Sequence, residues 1–359
     1  MRAYNFAAGP AMLPDEVITK IKDELFDWRG AGVSVMEIGH RTAVLQDLIT
    51  QLQDKIRNVM NIPNNYKILF LQGGAQGQFA GIPMNLVKDN KDVDYFITGI
   101  WSKKAVEEAS KYANVNVVTQ ATATSIPSVE NWQLNKHANY AYYCPNETIN
   151  GIQFADIPEV GTVPLIADMT SNILSYDIDV SKFGLILASA QKNLGIAGVT
   201  LVIVREDLIG RQLDITPNIW NYKLMSEGNS SVNTVPVFAI YVMDLMVDWL
   251  VKQGGVKAIA KINYRKVTKL YNYIDSTEFY YNNVLKEYRS MVNIPFELKN
   301  KNLLNTFFDE ADKEGLKYLK GHITVGGARA SLYNVMPEAG VDKLISFMQD
   351  FAIKNQNSN

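Results

Sequence analysis

Gly184-Leu-Ile-Leu-Ala-Ser-Ala-Gln-Lys-Asn193, followed after Leu194–Gly198 by Val199-Thr-Leu-Val-Ile-Val204, decides the fold. Two apolar runs of strand length flank a connection of about ten residues. A parallel crossover takes about a dozen or more, so Val199–Val204 is expected to run antiparallel to a neighbour. Outward from this pair, similar runs occur at Tyr66–Leu71, Asp94–Thr98, Val115–Thr119, Tyr140–Cys144 and Val163–Asp168. Most are apolar throughout, as strands covered on both faces are. Helical patterns such as Ser102–Tyr112 separate several of them. Alternation of this kind predicts an α/β fold: a mixed, mainly parallel seven-stranded sheet, flanked by helices, with one strand reversed.

After Pro236 the pattern changes. Phe238–Lys252 and Val256–Thr277 read as helices broken at Gly254-Gly255. Met291–Leu298 and Thr324–Ser331 read as strands, and Val341–Ala352 as a closing helix. A smaller α+β domain is expected here, with residues 16–257 as the large domain and 258–359 as the small one. The N-terminal segment 1–15 is expected to pack on the latter. The tail Asn355–Asn359 is expected to fray.

Composition bounds the function. The chain has 359 residues, 47% of them hydrophobic and 20% charged, with net charge -2. No basic field invites nucleic acid or an acidic membrane. The longest apolar stretches fall short of a membrane span, and the start shows no signal-peptide pattern. A single cysteine, Cys144, suits a reducing cytosol. With three histidines and one thiol, no metal site is expected.

In open α/β sheets ligands bind beyond the carboxyl ends of the strands, and several strands here end in informative residues. Val163–Asp168 ends in an aspartate, and Lys192 follows Gly184–Ala188. Such a pair is the minimum equipment for pyridoxal 5′-phosphate chemistry: the lysine forms the Schiff base, and the aspartate keeps the pyridine nitrogen protonated. Each alone reads equally as a strand cap or a solvated lysine. Tyr66–Leu71 is followed by Gln72-Gly-Gly-Ala-Gln-Gly-Gln78 and a helix-like run, which reads either as a plain turn or as an anion cradle at a helix start. It closes neither a Walker loop nor a dinucleotide fingerprint. Thr148 reads as a cap or turn residue, or as a donor to a ring hydroxyl. Trp101 reads as a packed aromatic or a stacking platform. Gln191 adjoins the lysine and could donate to a phosphate. Cys144 reads as a small buried residue. Basic groups suited to a small anion occur far apart, as His40-Arg41 and as His322 with Arg329.

Six motifs together resemble the phosphoserine aminotransferase family. They are Asn5-Phe-Ala-Ala-Gly-Pro-Ala-Met-Leu-Pro14, Ser34-Val-Met-Glu-Ile-Gly-His-Arg-Thr42, Tyr142-Tyr-Cys-Pro-Asn-Glu-Thr148, Ala190-Gln-Lys-Asn193, Asn233-Thr234 and Val325-Gly-Gly-Ala-Arg-Ala-Ser-Leu-Tyr-Asn334. They run in order from Asn5 to about Phe351. The resemblance implies a class-V aminotransferase of PLP fold type I, working in the cytoplasm as a homodimer with shared active sites. It implies pyridoxal phosphate as cofactor. The implied reaction passes the amino group of L-glutamate to 3-phosphonooxypyruvate, giving O-phospho-L-serine and 2-oxoglutarate for serine biosynthesis. Relatives also serve pyridoxine biosynthesis through a 4-phosphohydroxythreonine step.

The same resemblance implies the residue roles. Lys192 carries the cofactor, Asp168 pairs with its ring nitrogen, Thr148 contacts its ring hydroxyl and Trp101 stacks on it. Ala75, Gln76 and Gln191 hold its phosphate, with Asn233 and Thr234 reaching across from the partner subunit. Arg329 takes the substrate α-carboxylate, while His40, Arg41 and His322 receive the distal anion. Two departures stand out: Gln76 occupies the place of an arginine that helps grip the substrate phosphate in some relatives, and Ala8 that of a serine. Rival readings are another class-V enzyme, of the alanine–glyoxylate or cysteine desulfurase kind, and a non-catalytic anion-binding module. The desulfurase is disfavoured because Cys144 lies in a strand context rather than on a mobile loop.

Overall fold

The computed structural model describes residues 2–355. Of the tail expected to fray, everything past Asn355 lies outside them. Seven strands form the main sheet: β1 (Tyr66–Leu71), β2 (Asp92–Ile97), β3 (Asn114–Gln120), β4 (Ala141–Tyr143), β5 (Leu165–Asp168), β6 (Leu185–Ser189) and β7 (Thr200–Arg205). Their spatial order is β1-β7-β6-β5-β4-β2-β3. β7 runs antiparallel to both β1 and β6, and the other pairings are parallel. The reversed strand is the one that the short connection demanded.

Burial explains the apolar runs. Ile68 and Phe70 of β1 join one core while Leu69 and Leu71 join another; Ile186 and Ala188 of β6 divide from Leu185 and Leu187 in the same way. Successive side chains point to opposite faces, so both faces of the sheet are covered. Each large aliphatic side chain buried in this way contributes about 1.5–3 kcal/mol. The carboxyl ends of β1, β2, β4, β5 and β6 share one edge of the sheet. Only β7 points away from it.

A third core belongs to the small unit. It surrounds an antiparallel sheet of Tyr280–Tyr281, β8 (Asn293–Leu298) and β9 (Ala328–Ser331). The N-terminal segment packs here: Tyr4–Asn5 pairs with Leu316–Lys317, and Phe6 is buried in this core. β9 starts four residues later than the expected Thr324. Gly321–Gly327 instead closes a tight turn, with Gly321 N–H bonded to Gly327 O and two N–H groups, of Val325 and Gly326, bonded to His322 O. Positive φ at Gly326 and Gly327 takes the chain out of strand geometry. The helix expected at Ser102–Tyr112 runs from Ile100 to Ala109. Ala43–Met60 is a further helix, burying Leu45, Leu48, Ile49, Leu52 and Ile56 along one face.

One long helix, α3 (Gly255–Asp275; α1 and α2 are Gly74–Leu86 and Ile100–Ala109), joins the units. Its Val256 and Ile259 lie in the large core, its Val267, Leu270 and Ile274 in the small one. We propose that the units divide in its first turns, as the 257/258 boundary has it.

α3 also carries a fully buried lysine. Lys266 Nζ donates to Tyr333 O and to Met336 O, both at 2.9 Å. Burial holds its pKa down at about 7. Among the described residues the one opposing charge, Glu338, is already paired with Arg265 and Lys269. An unfolded lysine titrates near 10.4. Between these two values the unfolded chain binds the extra proton, so stability rises with pH across that window. Replacing Lys266 by Met should remove about 2 kcal/mol of this rise between pH 7 and 9. Urea unfolding at both pH values reads it; a wild-type minus variant difference that does not change with pH would refute the assignment.

Candidate active site

The glycine-rich turn after β1 opens α1. Gly73 and Gly74 have φ of 97° and 66°, which favours residues without a Cβ. A Cβ on Gly73 would also approach Gly77 Cα to 3.3 Å and the Trp220 ring to 3.5 Å. The first intrahelical bond is Gly77 N–H to Gly73 O. The N–H groups of Gly74, Ala75 and Gln76 are therefore left at a positive helix end.

At the adjacent strand ends stand the lysine and the aspartate. Lys192 is buried, and its Nζ donates to Thr148 Oγ1 at 2.7 Å. The ring of Tyr333 lies 5.9 Å from Nζ. Gly9 backs the aliphatic stem: a Cβ there would lie 3.5 Å from Lys192 Cγ. Asp168 ends β5, 3% exposed. Its Oδ1 accepts from Thr170 N–H at 2.9 Å, its Oδ2 from Tyr142 OH at 3.3 Å. Burial raises the Asp168 pKa; the bonds from Thr170, the Lys192 charge and Tyr142 oppose the rise.

Trp101 is placed by Glu147. That fully buried carboxylate accepts from Trp101 N–H at 3.1 Å, Ser102 N–H at 2.8 Å and Ser102 Oγ at 2.6 Å. It caps the start of α2, and burial pushes its pKa up. Gly99 makes room for it, since a Cβ there would fall 2.6 Å from the carboxyl carbon. The Asn-Glu-Thr segment is thus a helix cap through Glu147 and a contact to the lysine through Thr148.

These pieces enclose a cavity of about 270 Å³. Among the sequence-derived candidates, Ala75, Gln76, Trp101, Thr148, Asp168, Gln191 and Lys192 line it. Cys144 forms part of the wall, its thiol held neutral by burial. Sequence reasoning passed over Asn146, Thr170, Ser171 and Ser189, which also line it. Thr170 and Ser189 lie within two residues of a recognised strand end, so extending the strand-end rule by one turn would have found them. Ser189 Oγ bonds Gln191 Oε1 at 2.5 Å and Ser189 N–H bonds Thr170 Oγ1 at 3.1 Å. A larger cleft of about 760 Å³, walled by Phe154, Tyr176 and Tyr264, contains neither Lys192 nor Asp168.

The remaining candidates lie outside the lining. Arg329 is buried on β9; its Nε has no partner among the described residues, and burial lowers its pKa. Thr234 Oγ1 lies 3.3 Å from His40 Nδ1, and Thr234 O accepts from Gln72 Nε2 at 3.0 Å, beside the glycine turn. Asn233 is half-buried next to it, Arg41 is exposed, and His322 is in the Gly321–Gly327 turn.

The set fits pyridoxal phosphate. A buried carboxylate with only neutral donors in contact calls for a cation, which a protonated ring nitrogen provides. Trp101 Nε1 is buried on the cavity wall without a partner among the described residues. The free N–H groups of α1, with Ser189, Thr170 and Gln191 beside them, supply the donors a phosphate takes.

Comparison with known proteins agrees. Residues 3–344 match the class-V aminotransferase family. The phosphoserine aminotransferase of Hahella chejuensis is 51% identical over 357 residues, covering 99% of each chain. The solved phosphoserine aminotransferase of Bacillus circulans subsp. alkalophilus superposes with a TM-score of 0.96 at 40% identity, covering 99% of both chains. The PLP-bound phosphoserine aminotransferase of Trichomonas vaginalis superposes at 0.94 with 38% identity, covering 97% of this chain and all of that one. The chain belongs to the phosphoserine aminotransferases of the class-V aminotransferase family.

Proposed function

We propose that the chain passes the amino group of L-glutamate to 3-phosphonooxypyruvate, releasing 2-oxoglutarate and O-phospho-L-serine, with pyridoxal 5′-phosphate held in the 270 Å³ cavity. The observation that carries this is the pairing of Lys192 Nζ and the Asp168 carboxylate on one cavity, at the ends of adjacent strands.

Bound pyridoxal phosphate supplies an electrophilic carbon for amines and a ring that takes up the electron pair left when a substrate Cα loses its proton. Lys192 Nζ would hold the cofactor and give it up to a substrate amine. Freed, the same amine moves the Cα proton, as base and then as acid. Thr148 Oγ1 keeps it aimed into the cavity. Asp168 remains anionic against the ring nitrogen, its Oδ1 and Oδ2 steadied by Thr170 and Tyr142. Trp101, fixed from behind by Glu147, would cover a face of the ring. Ala75, Gln76 and Gln191 take the cofactor phosphate.

Arg329 binds the α-carboxylate that both substrates share. Its desolvated guanidinium with a free Nε supports this. His40, Arg41 and His322 take the distal group, a carboxylate in one substrate and a phosphate in the other. Imidazole and guanidinium donors serve both. A homodimer completes the site, with Asn233 and Thr234 serving the partner's cofactor phosphate. Support comes from the surface around His40 and Arg41, where Val33, Met36 and Val44 are exposed. A second copy would cover them. The cysteine usage and the pathway suit the cytoplasm.

An assay with glutamate and 3-phosphonooxypyruvate, with and without added cofactor, tests the reading. Lys192→Ala should abolish the lysine–cofactor absorption band and lower turnover by about 10⁴-fold; ordinary turnover would exclude the lysine's role. Arg329→Leu should raise KM for both substrates about ten- to hundredfold, and an unchanged KM would remove it from the carboxylate site. Restoring an arginine at exposed position 76 (Gln76→Arg) adds one solvent-screened cation. KM for the phosphorylated substrate should fall about fivefold, more than that for glutamate. Equal effects on both would show that position 76 does not read the phosphate.

A further inference from the structure

A buried joint ties the small unit to the cavity. Asn146 and Ser171 line the cavity. Asn146 Nδ2 donates to Ser171 Oγ at 2.8 Å and to Asn293 Oδ1 at 2.9 Å, while its Oδ1 accepts from Ser290 Oγ. Asn293 Nδ2 then donates to Ser331 Oγ at 2.9 Å and to Tyr333 OH at 3.3 Å. Asn146, Asn293, Ser290 and Ser331 are each at most 1% exposed.

This joint lies on the strand pair that carries Arg329. Asn293 of β8 opposes Ser331 of β9, and two residues along, Pro295 opposes Arg329. Strand residues two apart share a face, so all four side chains face one way. That way is toward the large unit: a Cβ on Gly151 would fall 2.3 Å from Pro295 Cδ. Gly151, at φ 68°, lets the proline seat. The arginine strand is therefore pinned at two points, one polar and one steric, each within two residues of Arg329 or directly opposite it.

We propose that Asn293 is a positioning residue for substrate binding: its bridge from Asn146 to Ser331 fixes where the Arg329 guanidinium stands relative to the cofactor cavity. The inference rests on the reading of Arg329 as the carboxylate-binding group. The cavity-lining residues named above, from Gly73 to Lys192, all belong to the large unit. Loosening the joint on its β8 side frees the strand that carries Arg329, while the lining keeps its bonds within the large unit, such as Asn146 to Ser171. An arginine fork is directional, so a small shift costs it much of its hold.

The test uses the holoenzyme. In Asn293→Ala, KM for glutamate and for 3-phosphonooxypyruvate should rise about five- to thirtyfold. Turnover at saturation should stay within about threefold, and the lysine–cofactor absorption band and cofactor retention should be unchanged. The dissociation constant of glutarate, which has two carboxylates and no amine, should rise with KM when read from the holoenzyme's absorption. Ser331→Ala removes one acceptor of the bridge, so it should fold even if Asn293→Ala does not, and should show the same split at smaller size. A merely structural role would instead shed cofactor or lower turnover without moving glutarate binding, and that result overturns the proposal. So does wild-type glutarate affinity in the folded variants. Wild-type enzyme that ignores both glutamate and glutarate is a different outcome: it refutes the carboxylate reading of Arg329 and takes this inference with it.

Discussion

Burying the Asp168 carboxylate is the constraint on which the site depends. Among the described residues it has hydrogen bonds from a backbone N–H and a phenol and no salt bridge, and burial drives it toward the proton-bearing form. A carboxylate so placed is costly unless a cation comes to it. A protonated ring nitrogen held beside it would offset that cost. Lys192, one strand over, cannot fully serve as the counterion, because Thr148 holds its amine.

The lining of the cavity was legible in the sequence because it is local. Asp168, Lys192, Thr148, Trp101 and the Gln72–Gln78 turn each lie at or just beyond a strand end, and the strands announced themselves by unbroken apolar runs. What escaped were partners at long range. Nothing around Glu147 says that it caps a helix beginning at Ile100, nor that Gly99 must lack a Cβ to admit it. Asn146 drew no reading from the sequence, yet it is the large unit's half of the joint to β8. The late start of β9 followed from Gly326 and Gly327, whose positive φ values a strand-propensity reading does not weigh.

The substrate half is non-local by construction. Arg329 sits on a strand paired with β8, whose Asn293 bonds Asn146 of the large unit, and His40 meets Thr234 across 194 residues of sequence. Such contacts carry no signature in any window of sequence; only the resemblance to a family brought them together. Their placement has a physical logic. The cofactor stays through every turnover and gains from a rigid floor, whereas the site must admit and release two substrates whose distal groups differ in charge and size. Groups carried on separately docked pieces and on an exposed rim suit that task better than side chains locked in the main core.

The reversed strand bears on the chemistry as well as on topology. A parallel partner for β6 would have required a crossover with its own helix, leaving Lys192 at the start of a long connection. The antiparallel β7 instead returns the chain at once, and the link from Ser189 to Thr200 is pinned from several sides. Ala190 N–H bonds Val199 O, Gln191 O accepts from Ala11 N–H, and Asn193 bonds both Ile173 O and the Asn334 N–H. Gly9 presses on the lysine stem from the N-terminal segment. A lysine that would hold a cofactor and move the substrate Cα proton needs freedom at its amine and none at its backbone. The short antiparallel return supplies that division.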